Sequence, residues 1–292
     1  MAATGLTTAN LGATGKNSFT AGTMNSASGA GSTALGAGNN SSGLGTFTSG
    51  VNSSATNTGA TAMGINNRAT GIYSAAIGAD NTASGAATII LGLQNNVSGS
   101  SSVGIGLNNN LNGSRSYVMG ESNTSTVSSG RASILGVSNT VSAPQSIAIG
   151  DTNTVSGTNA IGFGNSLSAE SMYSVITGFN NTLENLPQSS TATNLTKRLF
   201  LVGNGLAGTK SDALTILRNG KTGIDIDHFE TTTSDAKLQV NGTVKIATLS
   251  TTSICNSANE GTIQYLKTGN TGVFQGCVQS SATPTYGWVN LN

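Results

Sequence analysis

Gly203-Asn204-Gly205-Leu206-Ala207-Gly208 has the spacing G-x-G-x-x-G. In dinucleotide-binding proteins that spacing lets a backbone approach a pyrophosphate at the start of a helix. Here Thr209-Lys210-Ser211-Asp212 follows and leads into a hairpin pattern, so the motif reads as a turn. Asn219-Gly220-Lys221-Thr222 imitates the end of a phosphate-binding loop, but Thr215 stands where that loop needs its first glycine. Asp225, Asp227, His228 and Glu230 form the densest acidic cluster and hold the only histidine. Their oxygens could take a hard cation; a solvated turn is the plainer reading. Serines and threonines abound, yet one histidine far from any nucleophile elbow gives no triad pattern. The expectation is a protein that is not an enzyme and has no catalytic, cofactor or metal site.

The two cysteines, Cys255 and Cys277, both lie near the C-terminal end. A disulfide between them suits an extracellular protein. Two separate buried thiols or a metal pair are the other chemistries open to them, and no second pair or histidine stands at ligand spacing for the metal.

Any such group must be positioned by a chain of unusual make-up. Only 8% of its 292 residues are charged and 4% aromatic, with 40 glycines, 3 prolines and a net charge of +1. That charge gives no electrostatic case for nucleic acid or an anionic membrane. No run reaches the roughly 18 apolar residues of a spanning helix. The first residues, Met1-Ala2-Ala3-Thr4-Gly5-Leu6, show neither a charged nor an apolar leader region. The expectation is therefore a mature or shortened secreted form, or a part assembled in a cytoplasm as virion parts are.

Order comes from an internal repeat. Glycines recur every 14 residues at Gly22, Gly36, Gly50, Gly64, Gly78, Gly92, Gly106 and Gly120, and are continued at Gly136, Gly150, Gly162 and Gly178. A second column runs Gly29, Gly43, Asn57, Gly71, Gly85, Gly99, Gly113, and a third holds Asn25, Asn39, Asn67, Asn81, Asn95, Asn109 and Asn123. Each coil divides into two short strands and two corners, with glycine and asparagine expected in the corners for their tolerance of a left-handed backbone. The first strand is apolar on both faces: Leu35, Met63, Ile77, Leu91, Met119 and Leu135 on one, and Ala62, Ala76, Ile90, Val118, Ile134, Ala148, Ala160 and Ile176 on the other. A strand apolar on both faces is buried on both. The second column set is assigned to an oligomer interface, most simply around a threefold axis. The second strand is apolar on one side only (Ala69, Ala83, Val97, Leu111, Val141, Val155) and otherwise Ser, Thr and Asn, so it faces water.

The repeated pattern small-(Ala/Val)-Ile-Gly-x-x-Asn-x-(Ala/Val)-Ser-Gly, clearest at Ala75-Ala76-Ile77-Gly78-Ala79-Asp80-Asn81-Thr82-Ala83-Ser84-Gly85, resembles the head repeat of YadA-like trimeric autotransporter adhesins. The resemblance implies an all-β, left-handed parallel β-roll, homotrimeric, over residues 1–185. It does not extend to a heptad stalk or a membrane-anchoring barrel, neither of which is found in these residues. After a polar connector at 186–198, residues 199–250 resemble the β-shafts of bacterial surface fibres and phage tail fibres, with hairpins expected at Asn219-Gly220 and Asn241-Gly242. Residues 251–292, with both cysteines, read as a small β cap. The implied function is structural and adhesive: a trimeric head or surface-filament subunit, extracellular or on a cell surface, meeting itself and a host or environmental glycan or protein. A tail-fibre or receptor-binding protein of a virion is the alternative. An ice-binding solenoid is a third, opposed by asparagine where repeated threonine would be needed.

Overall fold

The computed structural model describes residues 12–126, 130–184, 194–246, 248–249, 254–268, 271–279 and 285–291. It is a parallel β-solenoid. One sheet stacks twelve two-residue strands, from Gly12–Ala13 to Ser168–Ala169. The other begins with twelve five-residue strands, from Phe19–Thr23 to Val175–Phe179. Pairing is parallel and in phase, as in Ile77↔Leu91 and Gly78↔Gly92. A coil two residues longer than the rest lies between Gly120 and Gly136, and pairing crosses it in register. The half-coil at Gly12–Ala13 pairs with Ser26–Ala27, so the roll is already formed at the first described residues.

The lead glycines do not sit in the corners. Each is the fourth residue of a long strand, where the backbone kinks. Gly92 has φ +136, and a Cβ there would meet the carbonyl oxygen of Gly106 at 2.0 Å. Conformation and space both demand glycine. The register also corrects one member of the column. Gly164, paired with Gly150 and Gly178, is the lead glycine of its coil, and Gly162 falls in the interior column between Ala148 and Ile176. The left-handed corners lie elsewhere and accept many residue types, among them Tyr73 (φ 56), Gln94 (φ 56) and Arg115 (φ 57). The coil's hydrogen bonds overdetermine those conformations.

The asparagine column is not a corner either. It is buried inside the roll as a ladder of amides. Asn95 Nδ2 donates to the Gly106 carbonyl at 2.7 Å and to Asn81 Oδ1 at 3.1 Å. Its Oδ1 accepts from Asn109 N at 3.0 Å and Asn109 Nδ2 at 2.9 Å. Ser53 makes a shorter version, with Oγ donating to Gly64 O at 3.2 Å and accepting from Asn67 N at 3.3 Å. Beside the ladder, small and large apolar residues interlock across the two strands. Gly104 leaves room for Val97 and Leu111, whose methyls would crowd a Cβ placed there.

The roll does not stop at 185. Arg198–Asn204 adds to the long-strand sheet in parallel, with Gly203 opposite Gly178 and Leu201 opposite Ile176. Asp212–Leu217 and Thr222–Ile224 then reverse the sheet as an antiparallel hairpin around Gly220. Leu238–Val240 pairs in parallel with Thr222–Ile224. The hairpin expected at Asn241-Gly242 is absent, because residues 243–246 form no strand. Pro187 and its surroundings, the expected connector, lie largely outside the described residues.

The compact units are 1–241 and 242–292. The second holds a four-stranded sheet built from Thr248–Leu249, Ile263–Thr268, Thr271–Gln279 and Tyr286–Asn290. Cys255 and Cys277 are disulfide-bonded, with Cα atoms 5.4 Å apart. Tyr265 and Phe274 pair their rings across strands at 4.9 Å. Among the described residues of this unit only Gln264, Gly276 and Cys277 are buried, while Ile254, Ile263, Phe274, Val289 and Leu291 are exposed. With so little core, the bridge is its main staple, worth about 3 kcal/mol for a loop of this size. Free-thiol titration of the denatured, non-reduced protein is expected to find no thiol.

The ladder gives a graded expectation. Asn95→Ala removes the side-chain donor to the Gly106 carbonyl and the acceptor of the Asn109 backbone N–H, at about 2–4 kcal/mol. Asn95→Ser, which copies Ser53, is expected to cost less than half of that in denaturant unfolding.

Candidate interaction face

Side chains alternate across each long strand, so one of its two apolar columns points in and the other out. The inward one is Ala62, Ala76, Ile90, Val118, Ile134, Ala148 and Ile176, all buried within their own chain. Ala160 is also buried, but in the hydroxyl column between Ser146 and Ser174. These residues were expected at an oligomer interface; that assignment is corrected, since no second chain can reach them. The outward residues are their neighbours. Leu91, Met119, Leu135 and Phe163 are 40%, 50%, 49% and 57% exposed, and flanking columns add Phe19, Ile89, Tyr117, Val51, Ile65 and Leu93. The face is apolar over all twelve coils, broken only by residues such as Ser49, Glu121, Asp151 and Thr177.

The short-strand face is its opposite. Its outward column reads Ser26, Asn40, Ser54, Arg68, Thr82, Asn96, Asn110, Thr124, Thr140, Thr154 and Ser168. Rung-to-rung hydrogen bonds order parts of it, such as Asn96 Nδ2 to Asn110 Oδ1 at 3.2 Å and Ser98 Oγ to Asn112 Oδ1 at 2.7 Å. The asparagine column once weighed against ice binding is interior and bears on no external surface. The true outward column is mixed and not a rank of threonines.

The residues that could do chemistry are spoken for. Gly203 to Gly208 form a turn in which Asn180 Nδ2 donates to Leu206 O at 2.7 Å and Thr209 O at 2.9 Å; a strand, not a helix, follows. Asn219 to Thr222 make the hairpin turn. The acidic cluster disperses. Asp225 is approached by Asn241 Nδ2 at 3.4 Å, Asp227 accepts from Asp212 N at 2.7 Å, and His228 Nδ1 lies 3.8 Å from Glu230. Among the described residues no three metal-binding side chains converge.

Glu230 belongs instead to a buried charge network that closes the end of the roll. Arg198, 2% exposed, donates Nε to Glu230 Oε2 at 3.0 Å and Nη2 to Oε1 at 2.9 Å. Its Nη1 reaches Thr182 O at 2.7 Å, and Nη2 stands 3.4 Å from Asp212 Oδ2. Thr182 donates both its N–H and its hydroxyl to Asp212. Beside it Lys197 pairs with Glu184 at 3.4 Å. Burial pushes the Asp212 carboxyl up from its ordinary value of 3.8, against the pull of Thr182 and Arg198. A raised acid pKa means the folded state holds the proton more tightly. Asp212 therefore contributes most below 3.8, and that contribution is lost as pH rises through its raised pKa. The sequence reading missed this network; its one visible sign was Lys197-Arg198 set directly before an apolar strand.

No protein-family model matches the chain, and no curated protein matches it. Among the described residues no helix is long and apolar enough to cross a membrane.

Removing Arg198 leaves two buried carboxylates without their cation. Arg198→Ala is expected to cost about 3–5 kcal/mol in denaturant unfolding. Arg198→Lys keeps the charge but not the planar fork, and is expected to recover only part of the loss.

Proposed function

We propose that this chain is a non-catalytic structural and adhesive fibre protein, a homotrimeric head or filament subunit displayed outside a cell. That is the role implied by its resemblance to YadA-like heads. One observation carries the reading: the outward apolar face of the long strands. A five-residue strand is about 13 Å wide and each coil adds about 4.8 Å, so twelve coils present on the order of 700 Å². Single soluble chains rarely leave a contiguous apolar patch beyond a few hundred Å². Identical faces from other copies cover it, and closed symmetry is the usual way to do so.

Covering that face turns the hydroxyl-and-amide face outward on every copy. Rows of Ser, Thr and Asn offer many weak hydrogen bonds to a glycan, a matrix protein or another fibre. Several copies then multiply weak contacts by avidity. The Cys255–Cys277 bridge supports an oxidising destination.

Light scattering tests the assembly. The wild-type chain is expected at three times its 28.9 kDa. Ile77→Asp and Leu135→Asp both change outward side chains, so they are expected to keep the β circular-dichroism spectrum and fall to the single-chain mass. A wild-type mass of 28.9 kDa would remove the reading.

A further inference from the structure

The apolar face has a centre. A concavity of about 360 Å³ on it is lined by Val103, Ile105, Tyr117, Met119, Leu135 and Ile149. Four charged residues, Arg115, Glu121, Arg131 and Asp151, stand on the same coils. The edge entering the long strands carries Lys16, Arg115 and Arg131 and no acid; the edge leaving them carries Asp80, Glu121 and Asp151. The remaining cation of the twelve regular coils, Arg68, begins a short strand. Tyr117–Glu121 spans about 13 Å, so Arg115 and Glu121 of one coil sit at opposite edges.

Arg115 and Arg131 are exposed on neighbouring coils, about 4.8 Å apart, and flank a cleft of about 290 Å³ with Pro144 and Gln145. Like charges one rung apart repel. Among the described residues neither arginine forms an ion pair, and neither does Glu121. Glu170, three coils beyond Arg131, is already held by Ser168 Oγ at 2.7 Å.

We propose that a second copy lies on this face parallel and in register, with its Glu121–Asp151 edge against the Arg115–Arg131 edge of the first. This rests on the reading that copies of the chain cover the face. Any cyclic assembly whose axis runs along the roll turns the entering edge of one chain toward the leaving edge of the next. Pure rotation keeps both at one height. Arg115 then meets Glu121 on its own level. Arg131, one level on, lies between Glu121 and Asp151, because the intervening coil ends in Val137. Two cations face two carboxylates beside an apolar centre, which is the charged rim and dry middle of a specific interface. Lys16 and Asp80 have no opposite charge on their levels, so the match belongs to this block alone. Its effect is selectivity. Antiparallel packing of the same faces would set arginine edge against arginine edge, which is repulsive.

Charge reversal of the full chain tests this by light scattering over a dilution series. Arg115→Glu with Arg131→Glu, and separately Glu121→Arg with Asp151→Arg, are each expected to weaken association by about tenfold or more. All four together restore complementarity and are expected to bring association back near wild type. Unchanged association in both double variants, or no recovery in the fourfold variant, would overturn the edge pairing. Leu135→Asp separates the two levels of the argument. If it dissociates the assembly while the double variants do not, copies cover the face but these edges do not meet. If it too changes nothing, the covering of the face by copies fails, and the edge pairing with it.

Discussion

At every coil a carbonyl oxygen turns into the roll and must be hydrogen-bonded where no water reaches. That requirement joins the two most regular columns of the sequence into one device. The Gly106 carbonyl points at Gly92 so closely that a Cβ there would lie 2.0 Å from it, and the amide of Asn95 is its donor. Glycine makes the approach; asparagine satisfies the group so exposed. Each asparagine also accepts from the next, so the ladder fixes the vertical phase of the coils as well as closing the polar balance. Leaving any of these groups unpaired in a dry interior costs more than a typical hydrogen bond gains. Everything else, from the thin apolar filling to the two contrasting faces, hangs on that phase.

With the phase fixed, alternation divides the long strand into a filling and a surface, and the division follows size. The interior has room for alanine, glycine and a few branched residues, matched across the strands as Gly104 is matched to Val97. Larger side chains such as Met119 and Phe163 go outside, where they make a sticky wall. The two ends of the described roll differ as well. At the far end the hairpin and the Arg198 network cover the last coil, with Phe229 fully buried against Gly223. A continuing sheet edge is a template for unwanted pairing, and here the long-strand sheet ends on a short one, the three-residue Leu238–Val240.

The period, the solenoid and the hairpin at Gly220 were legible in the residues because each rests on local spacing; the parallel roll was implied by the resemblance to YadA-like heads, and the disulfide by two cysteines in a chain read as extracellular. What could not be read is what spacing leaves degenerate. Two adjacent columns, both apolar, look alike to an alternation argument, so Ala76 was assigned to the interface although it points into the roll and its neighbour Ile77 points out. Size separates them at Ala62-Met63, Ala76-Ile77 and Ala148-Ile149 but not at Ile90-Leu91 or Ile134-Leu135, where only the register does. Asn95 was read by its conformational tolerance, when its buried hydrogen-bonding capacity was what the fold used. Gly162 and Gly164 are two residues apart, and only register chooses between them. Arg198 meets Glu230 across 32 residues, and no local pattern announces such a meeting.

The coil of two extra residues between Gly120 and Gly136 shows where this architecture tolerates change. Additions between Ser125 and Ser133 leave the rungs above and below in register, because each coil touches only its neighbours. Most coils are equally separable, since all but those at Ser53 and Leu167 present the same glycine carbonyl and the same amide to the next. A duplication or loss of one coil's coding length therefore changes the roll by about 4.8 Å and nothing else. The length of the roll can therefore change in small, equal steps while its cross-section stays the same.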